Sequence, residues 1–241
     1  MAQPHEQLVM LSMPDSPIAE SFRSLRSNLI RNVGPTSNRL LFVSPWPSEG
    51  KSMVCANMGV AFAQIGKKVL VADLDLRRPT LGTLFGLESK TGMAEILADG
   101  ASLASQVQVT DIPNLSFLPG GRMIASPADL VSSERLRPIF DEMGRSADVV
   151  LLDSPPLSLF AEGMILSTLA DGVVLVLNPK RWKGEQEVEV KKGIEEAGAR
   201  ILGIVLNGVG ADNQTGGGYG YNYGYGSYGR SGAYAGNGKK I

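Results

Sequence analysis

Tyrosine is missing from the first 218 residues of this 241-residue chain. All six tyrosines, Tyr219, Tyr221, Tyr223, Tyr225, Tyr228 and Tyr234, fall in the stretch GGGYGYNYGYGSYGRSGAY. Other scarcities set bounds as well. A single cysteine, Cys55, excludes an internal disulfide and suits a reducing compartment. Its place in an expected helix reads as a small buried packing residue. The single histidine, His5, sits in a polar N-terminal stretch and receives no role. No apolar run approaches the ~20 residues that cross a bilayer. The start, MAQPHEQLVM, lacks the basic and apolar segments of a signal peptide. Membrane contact is therefore expected only through a partner. Neither charge sign dominates: 23 Lys and Arg stand against 24 Asp and Glu, which gives no support for a general nucleic-acid binder.

What is present suits one folded α/β domain, since 43% of the residues are hydrophobic. Residues 1–15 are polar, contain Pro4 and Pro14, and are expected to be loose. Ile18, Phe22, Leu25 and Leu29 predict the buried stripe of a helix over 16–32, with Glu20, Arg23 and Arg26 on its other side. Near-continuous apolar runs predict strands at 39–44, 67–73, 148–153, GVVLVLN and RILGIVLN, plus a short one at LSFLP. Helices are expected at 50–65, 92–98, 127–131, 133–144, 161–169 and 184–197. Apolar strands alternating with helices imply a doubly wound, mostly parallel sheet covered on both faces. The domain is expected to run from 16 to about 210. Residues 211–241 have no apolar period and read as a flexible Gly/Tyr-rich tail.

SPWPSEGKS, residues 44–52, falls between a strand and a helix. Small and turn-forming residues there let backbone N–H groups curl around phosphate oxygens. The candidates are Pro47, Ser48, Glu49, Gly50, Lys51, Ser52 and, one step into the helix, Met53. Lys51 would reach the β- and γ-phosphates of ATP, and the Ser52 hydroxyl would ligate Mg²⁺. Pro45 replaces the first glycine of the usual phosphate-loop pattern. Trp46 stands where partitioning and division-site ATPases carry a signature lysine, which counts against a switch ATPase of that type, the alternative reading.

Two further strands end in acid. VLVADLDLRRP places Asp73 and Asp75, and VVLLDSPP places Asp153, at carboxyl ends of expected parallel strands, where doubly wound sheets bind ligands. Three carboxylates there need a cation among them, although each could instead cap the following helix or loop. Asn207, ending the last strand, is either a contact for the adenine base or a strand-end cap. Arg77 and Arg78 could meet phosphate or a neighbouring chain.

The tail completes the pattern. Phenolic hydroxyls accept phosphoryl groups, and glycine neighbours let each one enter a narrow cleft. From Val209, Tyr225 lies 16 residues on, an r.m.s. span of roughly 20–24 Å for a Gly-rich chain. Six phosphates would move the net charge from −1 to roughly −10 to −13.

Taken together, SPWPSEGKS, VADLDLRRP, VVLLDSPP, the tyrosine cluster and ESFRSLR (Glu20, Arg23, Arg26) resemble the bacterial tyrosine kinases of capsule and exopolysaccharide synthesis. The resemblance runs from Glu20 to Tyr234. It implies a P-loop NTPase fold of the kind found in division-site ATPases, and autophosphorylation between subunits of a ring, commonly an octamer. It also implies that Lys51 holds phosphates, that Ser52, Asp75 and Asp153 arrange Mg²⁺, and that Asp73 accepts or orients the tyrosine proton. Ring contacts would come from Glu20, Arg23 and Arg26. The implied partners are the cytoplasmic tail of a membrane polysaccharide co-polymerase, which would recruit the kinase to the inner membrane face, and a tyrosine phosphatase.

Overall fold

The computed structural model describes residues 5–124, 127–131 and 136–209. The expected tail at 211–241, with all six tyrosines, lies outside the described residues, as does the expected helix start at 133–135.

Seven strands form one sheet. They are β1 (Arg39–Val43), β2 (Val69–Asp73), β3 (Gln108–Val109), β4 (Leu115–Leu118), β5 (Val149–Asp153), β6 (Gly172–Leu177) and β7 (Ile201–Leu206), in the order β3-β4-β2-β5-β1-β6-β7. Every pairing is parallel except β3 with β4. β2, β5 and β6 are buried along their whole length, as the unbroken apolar runs require. The register decides where the chemistry falls. Asp73 of β2 pairs directly with Asp153 of β5, and Phe42 of β1 lies opposite Asp153 on the other side. Two carboxylates and the chain leaving β1 therefore meet at one edge of the sheet.

The helix Lys51–Ala63 is buried at 11 of its positions and packs on the middle of the sheet. Gly59 permits this approach: a Cβ there would stand 2.7 Å from Val71 Cγ2. On the outer side of that helix lies the helix Pro17–Leu29, started by Ser16, whose Oγ accepts from the Ala19 N–H at 3.2 Å.

Two expectations about this region are corrected. Ile18 is 54% exposed and not part of the buried stripe. The inward arc instead passes through Ala19, Phe22 and Leu29 and takes in Arg26, whose Nη1 donates to the Ala61 carbonyl at 2.7 Å. Nor are residues 5–15 loose. Val9–Ser12 make one helical turn, and Leu8 and Met10 are fully buried. Asn57 in the Lys51–Ala63 helix fixes this turn by accepting from the Met10 N–H and donating to the Gln7 carbonyl, both at 3.1 Å.

The less regular stretch over 79–131 contains the short helices Leu81–Phe85, Met93–Asp99, Leu103–Gln106 and Pro127–Val131 around β3 and β4. Leu136–Ser146, Glu162–Leu169 and Glu185–Glu196 complete the helices. Among the described residues no helix is long and apolar enough to cross a membrane.

Candidate nucleotide site

The chain leaves β1 at Ser44 and reaches the helix at Lys51 through a loop with two left-handed residues, Ser48 (φ 62°) and Gly50 (φ 87°). Gly50 is required twice over, by its φ and by space: a Cβ would fall 1.9 Å from the Asn207 side-chain nitrogen. Glu49 turns inward. Its carboxylate is buried and accepts from the Trp46 N–H at 3.3 Å, and burial raises its pKa. The Ser44 hydroxyl donates to the Trp46 carbonyl at 2.9 Å, and the Lys183 ammonium lies 3.6 Å over the Trp46 ring.

Lys51 is buried, and its ammonium donates to Asp153 Oδ1 and lies 3.4 Å from the Ser52 hydroxyl. Asp153 is fully buried, and its second oxygen, Oδ2, has no hydrogen-bond partner. Burial raises the Asp153 pKa, and the Lys51 charge opposes the rise.

Asp73 is also fully buried. Burial first, and then the Asp153 charge, push its pKa up to about 8. Its Oδ2 accepts from the Thr80 and Leu81 N–H groups at 2.9 and 3.0 Å, and its Oδ1 from the Asp75 N–H at 3.2 Å. The capping role open to it in the sequence is therefore real. Asp75 is half-buried, and its Oδ1 accepts from the N–H groups of Arg77 and Arg78 at 3.3 and 3.0 Å.

The residues fit a magnesium–nucleotide complex on one observation above all, the buried, unpartnered Oδ2 of Asp153 beside the Ser52 hydroxyl and Lys51. Among the described residues no three His, Cys, Asp or Glu side chains converge as a metal cage. Such a donor set suits Mg²⁺, which keeps waters and takes phosphate oxygens in place of a full set of protein ligands.

Some residues the sequence nominated make contacts within the chain. Asn207 directs its side-chain N–H to the Glu49 carbonyl at 2.8 Å. Arg77 is committed to Glu162, with Nε and Nη2 donating to Oε1 at 3.0 and 2.6 Å, and it lies 4.3 Å over the Phe160 ring. The motif ESFRSLR divides. Glu20 and Arg23 form an exposed ion pair at 3.0 Å, whereas Arg26 is held on Ala61. His5 pairs with Asp111 at 3.1 Å, and Cys55 is fully buried.

Sequence reading missed Arg181, whose Nη1 donates to the Pro47 carbonyl at 3.2 Å, and Lys183 over Trp46. Both come from NPKRWKG after β6. The signal there was a proline and three cations at a strand end, which does not name a partner.

Comparison with known proteins agrees with this geometry. A family model described as an AAA domain matches residues 48–197. Tyrosine-protein kinase YwqD of Bacillus subtilis (strain 168) is 34% identical over 202 residues, covering 83% of this chain and 85% of its own. The putative tyrosine-protein kinase CapB of Staphylococcus aureus is 31% identical, with 80% and 86% covered. Among solved structures, the kinase domain of Escherichia coli tyrosine kinase ETK superposes with a TM-score of 0.81 at 26% identity, covering 89% of this chain and 84% of that one. The chimerical protein CapA2B2 gives 0.78 at 30%, with 83% and 88% covered. The septum site-determining protein MinD of Pyrococcus horikoshii, complexed with Mg-ADP, gives 0.62 at 26%, with 71% and 70% covered. This is the P-loop fold expected from the sequence, and one of these neighbours, MinD, was solved with Mg-ADP. Identity at this level, over most of both chains, places the protein in the family of bacterial tyrosine-protein kinases.

Proposed function

We propose that this kinase transfers phosphate from ATP to its own C-terminal tyrosine cluster, between subunits, and that the state of the cluster governs capsular or exopolysaccharide polymerisation and export. The observation that carries the reading is the pairing of Asp73 with Asp153 at adjoining strand ends, with Lys51 on Asp153 and the phosphate loop entering beside them. A site with two buried carboxylates and one mobile-stemmed cation can both hold a triphosphate and face a phenol.

In this reading residues Pro47 to Met53 wrap the phosphates with backbone N–H groups. Lys51 leaves Asp153 to neutralise the β- and γ-phosphates. Ser52, Asp153 and Asp75 would hold Mg²⁺, and that ion would supply charge neutralisation along the transferring phosphoryl group. Asp73 would orient the tyrosine hydroxyl and take its proton as the phenol oxygen bonds to the γ-phosphorus and the bond from that phosphorus to the bridging oxygen breaks, releasing ADP. The acceptors are Tyr219, Tyr221, Tyr223, Tyr225, Tyr228 and Tyr234. Glu20, Arg23 and Arg26 supply ring contacts that bring one subunit's tail to its neighbour's site, an arrangement consistent with an octamer. The cytoplasmic tail of a membrane polysaccharide co-polymerase acts as activator and brings the kinase to the inner face of the membrane. A tyrosine phosphatase resets the cluster. Accumulated negative charge on the tail would expel it from the acidic site and loosen the ring.

The test is a phosphopeptide map. The full chain is incubated with Mg-ATP and the activator's tail, with Lys51→Met as the silent control. Phosphotyrosine within 219–234 is expected. Phosphate absent there, under conditions where ATP binds, removes the proposal.

A further inference from the structure

We infer that Asn207 is a positioning residue for the phosphate loop, holding the Glu49–Gly50 peptide by its side-chain amide. The inference rests on taking residues 44–52 as the phosphate loop.

Four observations meet at this peptide. The Asn207 side-chain nitrogen donates to the Glu49 carbonyl at 2.8 Å. The same nitrogen occupies the space next to Gly50 that any Cβ would need. The Asn207 backbone is itself fixed, because its N–H donates to the Leu177 carbonyl at 2.8 Å and so continues the β6–β7 ladder. The loop around Glu49 is also costly to hold, since Ser48 and Gly50 on either side are left-handed, and Ser48 pays a steric penalty there.

A peptide flanked by two such residues keeps its direction only where outside contacts over-determine it. Glu49 has contacts at both ends: its carboxylate on the Trp46 N–H and its carbonyl on Asn207. Arg181 adds a third grip one turn earlier, on Pro47. The plane of the Glu49–Gly50 peptide sets where the following N–H groups point. Those groups, at the start of a 13-residue helix, are the ones that meet phosphate. Without the Asn207 amide the peptide is free to turn, and the donors lose their common focus. The loss is felt by anything that carries phosphates, whatever base it bears. A residue that read adenine would behave in the opposite way, costing affinity only where adenine is present.

The experiment compares the full-length chain with Asn207→Ala by calorimetric titration of Mg-ATP, Mg-GTP and inorganic tripolyphosphate. The expected result is a common loss of roughly 5–100-fold for all three, the range for stranding one buried acceptor. Weakened ATP with unchanged tripolyphosphate overturns the inference in favour of a base contact. Unchanged binding of all three overturns it outright. Amide hydrogen exchange supplies a second readout. Faster exchange in Asn207→Ala confined to peptides covering 45–53 is expected, and acceleration spread over the whole domain would show a general structural role instead. If the parent chain binds no tripolyphosphate, the phosphate-loop reading fails, while the exchange measurement still decides whether Asn207 holds the loop.

Discussion

The Lys51 ammonium rests on Oδ1 of Asp153, and both groups are buried. A buried pair of this kind contributes little net stability, yet breaking it from one side is costly because the survivor is left uncompensated. Lys51→Met should therefore destabilise the ligand-free protein by up to about 3–5 kcal/mol, less whatever Asp153 recovers by taking up a proton. Adding Asp153→Asn should restore much of that loss while leaving phosphoryl transfer abolished. Urea unfolding of the parent, both single variants and the double variant closes the cycle. A double variant no more stable than Lys51→Met would show that the two groups do not compensate each other.

Asp73 sets a pH dependence whose sign can be worked out. Its carboxyl has a pKa near 3.9 in an unfolded chain and is pushed up to about 8 in the fold, by burial and then by Asp153. The folded state thus binds the proton more tightly. Between about pH 4 and about pH 8 the native protein carries more protons at this position, so the contribution to stability falls as pH rises through that window. The ligand-free protein in chelator should lose stability along this limb, and Asp73→Asn should flatten it. A slope unchanged by that substitution would place the titration on another group.

Much of this site was legible in the sequence, for a physical reason. Asp73 and Asp153 each end an apolar run, at the carboxyl ends of parallel strands, where doubly wound sheets bind ligands. Their direct pairing was not legible, because register is a property of two strands together. The inward turn of Arg26 was hidden for a similar cause. Helical period places a residue on an arc, and whether the arc's edge faces solvent depends on the neighbouring helix, here through the Ala61 carbonyl. Val9–Ser12 is too short for any period to register, and the burial of Leu8 and Met10 together with the hydrogen bonds of Asn57, a residue far off in sequence, fix it. The grip of Asn207 and Arg181 on the loop joins residues more than 130 positions apart, beyond the reach of any local pattern.

Gly50 offers a test of steric coupling. Alanine there meets two penalties, a left-handed φ of 87° and the Asn207 nitrogen at 1.9 Å from the new Cβ. The first costs about 1–2 kcal/mol, and the second adds to it unless the loop shifts. Asn207→Ala relieves the clash and leaves the φ cost. The double variant Gly50→Ala, Asn207→Ala should accordingly be less destabilised than the sum of the two single changes, by denaturant midpoint. Strict additivity would mean that the loop moves clear of Asn207 at no cost.

Arg26 and Glu20 should separate assembly from folding. The Arg26 guanidinium satisfies a carbonyl in the last turn of the Lys51–Ala63 helix, where a cation also meets the negative end of the helix dipole. Burial lowers its pKa. Arg26→Ala should cost the single subunit about 1–2 kcal/mol, visible as a lower melting temperature at concentrations where no rings form. Glu20 is exposed and makes only an i, i+3 pair with Arg23, so Glu20→Ala should change stability by a few tenths of a kcal/mol at most. If this face meets a neighbouring subunit, Glu20→Ala nonetheless shifts the sedimentation profile from large assemblies toward monomer. A profile matching the parent, together with a melting temperature that Arg26→Ala alone reduces, would confine the motif to holding its own subunit together.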